Sequence, residues 1–348
     1  MNAFVDGLET RWRRKLSVSG RVNRGHEWLD EQVDDWINGL PPAAHERVER
    51  QRAGHTAGSL LSVASAASIQ SAGLTSVGEV FGCVVMNLGW AGAGCAWWNS
   101  GAYGFGNMGM NMGAVSPVTT SGDGGKWGSF APYVNAFERA WYGSLRRMVI
   151  EAQALGAHGV VDVRIVRRQL EGAAWEFSAL GTAVRSIDPS LAPIPQTAGE
   201  VWSTNLSGED TAAAILSGYM PREIVLGISV STKHEDWQLR QQRSSWVNGE
   251  VDGMTQLIQA ARQESRHRLA ARATHTGSAE LAVTSMTLSE FETACGGQDG
   301  RDLHAESVVV GTTLIPLPRS RRRAPGTNAL TILPLRDPPN RPARRQSR

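Results

Sequence analysis

Sulfur ligands are the first chemistry this 348-residue chain offers. Cys83, Met86 and Cys95 precede NMGMNMG, which carries Met108, Met110 and Met112. Thiolate and thioether are soft donors suited to Cu(I), and thiolates also hold Zn. In an extended segment the alternate methionines would point to one side. The same run also reads as a flexible apolar loop whose methionines fill gaps at an interface. With Cys295 the cysteines number three and form no CxxC pair, so neither a disulfide framework nor a structural zinc site is indicated. His158 and His275 fall beside two expected helix ends, where a protonated imidazole gains from the helix dipole. A ring of such histidines as ligands is the alternative.

Patterns for catalysis are missing. Neither Gly-x-Ser-x-Gly nor HExxH occurs. Gly92-Ala-Gly94 lacks the third glycine of a dinucleotide fingerprint, and Gly122-Asp-Gly-Gly-Lys126 lacks Walker spacing. Asp34 and Asp35 share an exposed helix face. The expectation is a protein that is not an enzyme. Net charge is +2 with 20% charged residues, so composition demands no polyanionic partner. Arg262, Arg266, Arg268 and Arg272 read as a solvated helix face, with no nucleic-acid motif beside them.

The elements that must position these residues follow from periodicity. Residues 26–39, HEWLDEQVDDWING, put Leu29, Val33, Trp36 and Ile37 on one helix face, which packs on the body or docks a protein partner. Pro41 and Pro42 stop that helix. A helix over 55–73, a strand over 79–89 and a Gly/Trp/Met-rich loop over 89–128 come next. A helix over 134–155 then follows, with Phe137, Trp141, Leu145, Met148, Ala152 and Leu155 at three- and four-residue steps and Gly156 as its cap. Strands over 160–166 and 175–187 close a unit, and Pro189, Pro193 and Pro195 mark a linker.

The order then repeats. Ser207 is a helix N-cap with Asp210 three residues on. A strand over 223–232 and a helix over 250–274 follow, the helix with Val251, Met254, Ile258, Ala261 and Leu269 on one stripe and Gly277 near its end. Strands over 280–288 and 306–315 finish the copy. AGLTSVGEVFG (72–82) aligns with SGYMPREIVLG (217–227) without a gap, Gly156 with Gly277, and GTAV (181–184) with GTTL (311–314). An internal duplication is therefore predicted. The expected divisions are an N-terminal appendage 1–53, a first unit 54–188 with insertion 89–128, a linker 189–202, a second unit 203–317 and a disordered Arg/Pro-rich tail 318–348, which attracts acidic partners non-specifically.

AGLTSVGEVFGCVVMNLG (72–89), RRMVIEAQALGAHGVVDVRI (146–165) and EFSALGTAV (176–184) resemble the YbjQ-like (UPF0145-type) family, whose name associates it with heavy metals. LSGYMPREIVLG, GEVDGMTQLIQAARQ and VVVGTTLI carry a weaker resemblance in the second copy. Asn87 stands where actinobacterial members often have a histidine, which turns a metal site toward sulfur. The resemblance implies an α+β fold of two tandem dodecin-like β-α-β-β units, each a small antiparallel sheet with a helix across it, and assembly into closed rings.

Elementary physics agrees with self-association. So small a unit buries little surface by itself, and its edge strands present unpaired backbone groups. Trp90, Trp97, Trp98, Phe105 and Trp127 crowd a loop nearly without charge, which predicts a subunit contact or pore. The sparse, odd cysteine set fits a reducing cytoplasm; no apolar run approaches the ~20 residues of a membrane span, and no secretory signal is expected at the N-terminus.

Overall fold

Long runs of β-branched residues separated by two amphipathic helices produce two helix-backed sheets. The computed structural model describes residues 39–54, 58–88, 116–121, 130–187, 200–277, 280–294 and 301–317. Residues 26–38 of the expected docking helix, nearly all of the 89–128 insertion and the tail 318–348 lie outside them.

In chain order the elements are α1 (Pro42–Arg52), α2 (Val63–Ser71), β1 (Leu74–Asn87), β2 (Val118–Thr120), α3 (Ala131–Ala154), β3 (Gly159–Gln169), β4 (Ala174–Ser186), β5 (Trp202–Ser203), α4 (Gly208–Leu216), β6 (Tyr219–His234), α5 (Trp237–Arg243), α6 (Asp252–His275), β7 (Glu280–Ala294) and β8 (Arg301–Pro316). The fold is α+β. One sheet has the order β1-β4-β3-β5 and the other β2-β6-β8-β7. In each, a long helix connects the first main strand to the second, and the third main strand lies between them: α3 links β1 to β3 around β4, and α6 links β6 to β7 around β8. No helix among the described residues is long and apolar enough to cross a membrane.

Local chemistry is repeated at matching places. Ser62 caps α2 by accepting from Ser65 N at 3.0 Å, and Ser207 caps α4 by accepting from Asp210 N at 3.1 Å. Gly73 and Gly218 both take left-handed backbone (φ +84° and +91°) just before the first main strands. Register shifts fall between Ser76 and Gly78 in β1 and between Pro221 and Ile224 in β6. The long helices both end on left-handed glycines, Gly156 and Gly277. Each helix also touches its sheet at a glycine. A Cβ on Gly82 would lie 2.0 Å from Ser144 O, and one on Gly227 would lie 2.0 Å from Ser265 O.

Several segments differ from expectation. Pro42, read as a helix stop, opens α1 with Pro41 at its N-cap. The helix expected over 55–73 spans only Val63–Ser71, and Trp237–Arg243 forms the unexpected α5. Val118–Thr120, placed in the insertion loop, forms β2 against Lys233–Ser231 of β6. Trp202, placed in the linker, is buried as part of β5, which runs parallel to β3 of the first sheet. Glycine at 159 leaves the flat space its indole fills: a Cβ there would lie 2.0 Å from the ring.

The α6 stripe is also rotated from the expected one. Gly253, Leu257, Ala261, Ser265, Leu269 and Ala273 are buried at four-residue steps, while Val251, Met254 and Ile258 pack partly buried at the margin. Small residues take the ridge because the helix axis lies close to β6 there.

Candidate functional site

Cys83 lies on β1, half-buried. Its thiol donates to Glu176 Oε1 at 3.5 Å, and Arg147 donates to the Cys83 carbonyl. Burial pushes its pKa up, and the Glu176 hydrogen bond and charge push it further. The thiol therefore stays protonated near neutrality in the metal-free chain. Cys95, Met108, Met110 and Met112, the other expected sulfur ligands, lie outside the described residues, as does Cys295. No cluster of three or more His, Cys, Asp or Glu able to hold a metal occurs among the described residues. His158 Nδ1 accepts from Ser186 N at 3.1 Å, so that ring serves the local chain. His275 occupies the last turn of α6, as expected from its position.

What the fold brings together is a seam between the two sheets. Residues following β5 dock on the free edge of β3: Thr204 N donates to Val160 O at 2.9 Å, Val163 N to Thr204 O at 3.1 Å and Asp162 N to Leu206 O at 3.1 Å. Asp162 itself has φ +51°, at a register shift in β3. The same segment is held to the second sheet. Asn205 N donates to Thr312 Oγ1 at 3.3 Å, Thr312 Oγ1 to Asn205 Oδ1 at 2.7 Å, and Thr204 and Thr312 hydroxyls lie 3.0 Å apart. Ile69, Leu74, Val161, Val184, Trp202 and Met220 form one apolar cluster across the seam.

Charged residues from distant parts of the sequence close it. Arg167 of β3 reaches Glu306 of β8 at 2.9 Å, and Tyr133 of α3 donates to the same carboxylate. The Arg167 guanidinium also lies over Phe137 and Trp175, 5.2 and 4.9 Å from the ring centroids. Arg272 of α6 pairs with Glu138 of α3 at 2.8 Å and covers the Tyr142 ring at 4.7 Å. Leu226 N donates to Tyr142 Oη at 3.0 Å. Burial raises the pKa of both tyrosines, so they stay neutral donors and acceptors.

Arg272 is thus no solvated-face residue, and Arg268 is bound to Glu264 at 2.8 Å and to Ser121 O at 2.9 Å. Arg262 and Arg266 are exposed as expected. Nothing in local sequence marks Arg167, Glu306 or Glu138, because each partner lies more than a hundred residues away.

At the far end of the second sheet His304 is enclosed by Phe130 and Phe291, with ring centroids 4.8 Å away in each case. Its Nδ1 lies 2.9 Å from Thr232 Oγ1 and its Nε2 2.8 Å from Thr293 Oγ1. Both nitrogens are engaged, so the ring is a structural polar pin. Burial pushes its pKa down to about 4 from the ordinary 6.5. The unfolded chain thus binds a proton below pH 6.5 that the folded chain refuses until about pH 4. This contribution to stability is whole above the unfolded value and is lost as pH falls through the window between them. His304→Gln, compared with wild type by urea denaturation at pH 7.5 and pH 4.5, is expected to lose clearly less stability on acidification. Parallel losses in the two proteins would show that His304 does not carry this linkage.

Part of this chain matches a known family. Residues 123–187, from the end of the insertion through α3, β3 and β4, match the family described as "Putative heavy-metal-binding", YbjQ. A UPF0145 protein of Saccharolobus solfataricus is 46% identical over 57 residues, 16% of this chain and 50% of that protein. An encapsulin nanocompartment protein of Mycobacterium tuberculosis is 31% identical over 156 residues, 44% of this chain and 59% of that protein. The chain thus spans between half and three-fifths of the length of these curated relatives. No solved structure matches it significantly. The family match stops at residue 187 and does not include the second sheet.

Proposed function

We propose that this chain is a non-enzymatic assembly subunit: a duplicated YbjQ-like α+β unit that associates with further copies of itself into a ring-like particle with a structural role. The observation that carries the reading is the seam. Two units of one topology join by adding backbone to a strand edge, with partly buried charge pairs across the seam, which is how subunits of an assembly join. The name of the mycobacterial relative, a nanocompartment protein, supports membership of a large protein assembly.

Native mass spectrometry and sedimentation at micromolar concentration test it. A defined mass several times the 37.5 kDa chain is expected, and a monomer at that concentration sinks the reading.

A soft-metal role, with Cu or Zn held by Cys83, Cys95, Met108, Met110 and Met112, is the second reading. It is supported by the family description alone. Elemental analysis of the same sample decides it. Stoichiometric metal that disappears when Cys83 and Cys95 are changed to Ser would establish it, and its persistence in that variant would exclude this site. Residues 26–39 would dock a protein partner through their apolar helix face, and the arginine tail would attract acidic partners non-specifically.

A further inference from the structure

We propose that a second copy of this chain completes the outer edge of β7, by placing its residues 58–61 there as an added parallel strand, and that copies therefore join head to tail. The inference rests on the assembly reading and names its contact.

The template is inside the chain. Ahead of the Ser207-capped α4, the segment 202–206 lies along the edge of β3, and ahead of the Ser62-capped α2 stands the matching segment, 58–61. Both are tied to their own unit in the same way: Asn205 N donates to Thr312 Oγ1, and Leu60 N donates to Thr182 Oγ1 at 3.1 Å. Thr182 and Thr312 each follow the glycine shared by GTAV and GTTL. The segments differ in what covers their other side. Thr204 is fully buried against β3, whereas its counterpart Ser59 is exposed.

The acceptor edges differ in the complementary sense. On β3, Val160, Val161 and Val163 are buried beneath the docked segment. Their counterparts by register with the GTAV and GTTL strands are Leu281, Ala282 and Thr284 of β7. These are partly or fully exposed, and nearby Val283 and Met286 are 58% and 43% exposed. Among the described residues β7 pairs with β8 alone, so its other edge ends the sheet. A long edge with apolar side chains is a template for another chain.

Symmetry then decides the occupant. A two-fold relation between the units would make both contacts at once, 202–206 on β3 and 58–61 on β7. The structure makes only the first. The relation is heterologous, leaving one donor segment and one acceptor edge of matching chemistry on every chain, and such contacts propagate from copy to copy until they close. Transferring the in-chain pattern gives Ser59 N donating to Leu281 O, Thr284 N to Ser59 O and Val283 N to Leu61 O.

Ser59→Cys combined with Ala282→Cys, in a full-length background with Cys83, Cys95 and Cys295 changed to Ser, tests the register, since these positions fall side by side in the added strand. Mild oxidation is expected to give a ladder of covalent multimers on a non-reducing gel, and neither single-cysteine variant should cross-link. Val283→Lys, at a position exposed in the single chain, should lower the native mass at least several-fold while leaving circular dichroism unchanged. A large native mass with no ladder, and with Val283→Lys assembling normally, overturns this contact but leaves the assembly reading intact. A monomeric wild type overturns both. An Ala282→Cys dimer formed without Ser59→Cys would show β7 pairing with β7 instead, and would overturn the head-to-tail arrangement.

Discussion

Gly227→Ala is expected to destabilise the protein by about 3 kcal/mol, at the upper end of what overpacking of a close contact costs. A Cβ at this position would lie 2.0 Å from Ser265 O and 2.8 Å from both Leu269 N and Leu269 Cβ. Two of those three atoms are helix backbone, so no side-chain rotation relieves the clash, and α6 as a whole must lift from β6. Lifting it loosens the ridge that buries Leu257, Ala261 and Leu269. Chemical denaturation reads the effect. Gly249→Ala is the control, because its Cβ would approach nothing nearer than 4.0 Å, and it should change the midpoint little. If the two variants unfold alike, the helix–sheet approach is looser than described. Gly82, against Ser144 O, should behave like Gly227.

Arg47→Met should cost about 3–5 kcal/mol at neutral pH, the penalty of leaving a buried carboxylate without its cation. Arg47 of α1 meets Glu151 of α3 with two hydrogen bonds, at 2.6 and 2.8 Å, and the same carboxylate accepts from Phe81 N of β1 at 2.7 Å. Glu151 has no exposed surface, whereas Arg47 keeps about a quarter of its side chain in water. Removing the arginine therefore strands a charge that cannot reach solvent. Combining Arg47→Met with Glu151→Gln should restore most of the loss, because the neutral amide oxygen still accepts from Phe81 N. A double variant as unstable as the single would show that Arg47 acts by packing on Phe81, 5.8 Å from its guanidinium, and not by charge.

These two sites also show how far sequence carries. The α3 stripe of Phe137, Trp141, Leu145, Met148, Ala152 and Leu155 was legible because large apolar residues recur at helical spacing, and the structure buries the first five, with Leu155 at the C-cap half-buried. Strands β3, β4, β6 and β8 were legible from their β-branched runs; β3, β6 and β8 extend beyond the expected ends, and β4 is shifted by one residue. The helix-ending glycines and the Ser207 cap were legible because left-handed backbone and unpaired N-terminal amides restrict residue type locally. On α6 the ridge nearest the sheet is built of glycine, alanine and serine with two leucines. Hydrophobic periodicity gives small residues little weight, and the expected stripe was displaced accordingly.

Composition and spacing alone determined an α+β chain whose punctuation repeats, and the motifs at 72–89, 146–165 and 176–184 carried a resemblance to a heavy-metal-named family. Tertiary structure alone decided where that chain's own strand edges go. Two residues, Trp202 and Ser203, joined the first sheet because a glycine on β3 leaves room for an indole. The three residues 118–120 joined the second sheet through only three backbone pairings. Arg167 with Glu306, and Glu138 with Arg272, became partners across more than a hundred residues. Each of those contacts is made between surfaces that are not neighbours in sequence. Local propensity and periodicity report only on what lies within a few residues, so no pattern along the chain could have announced them.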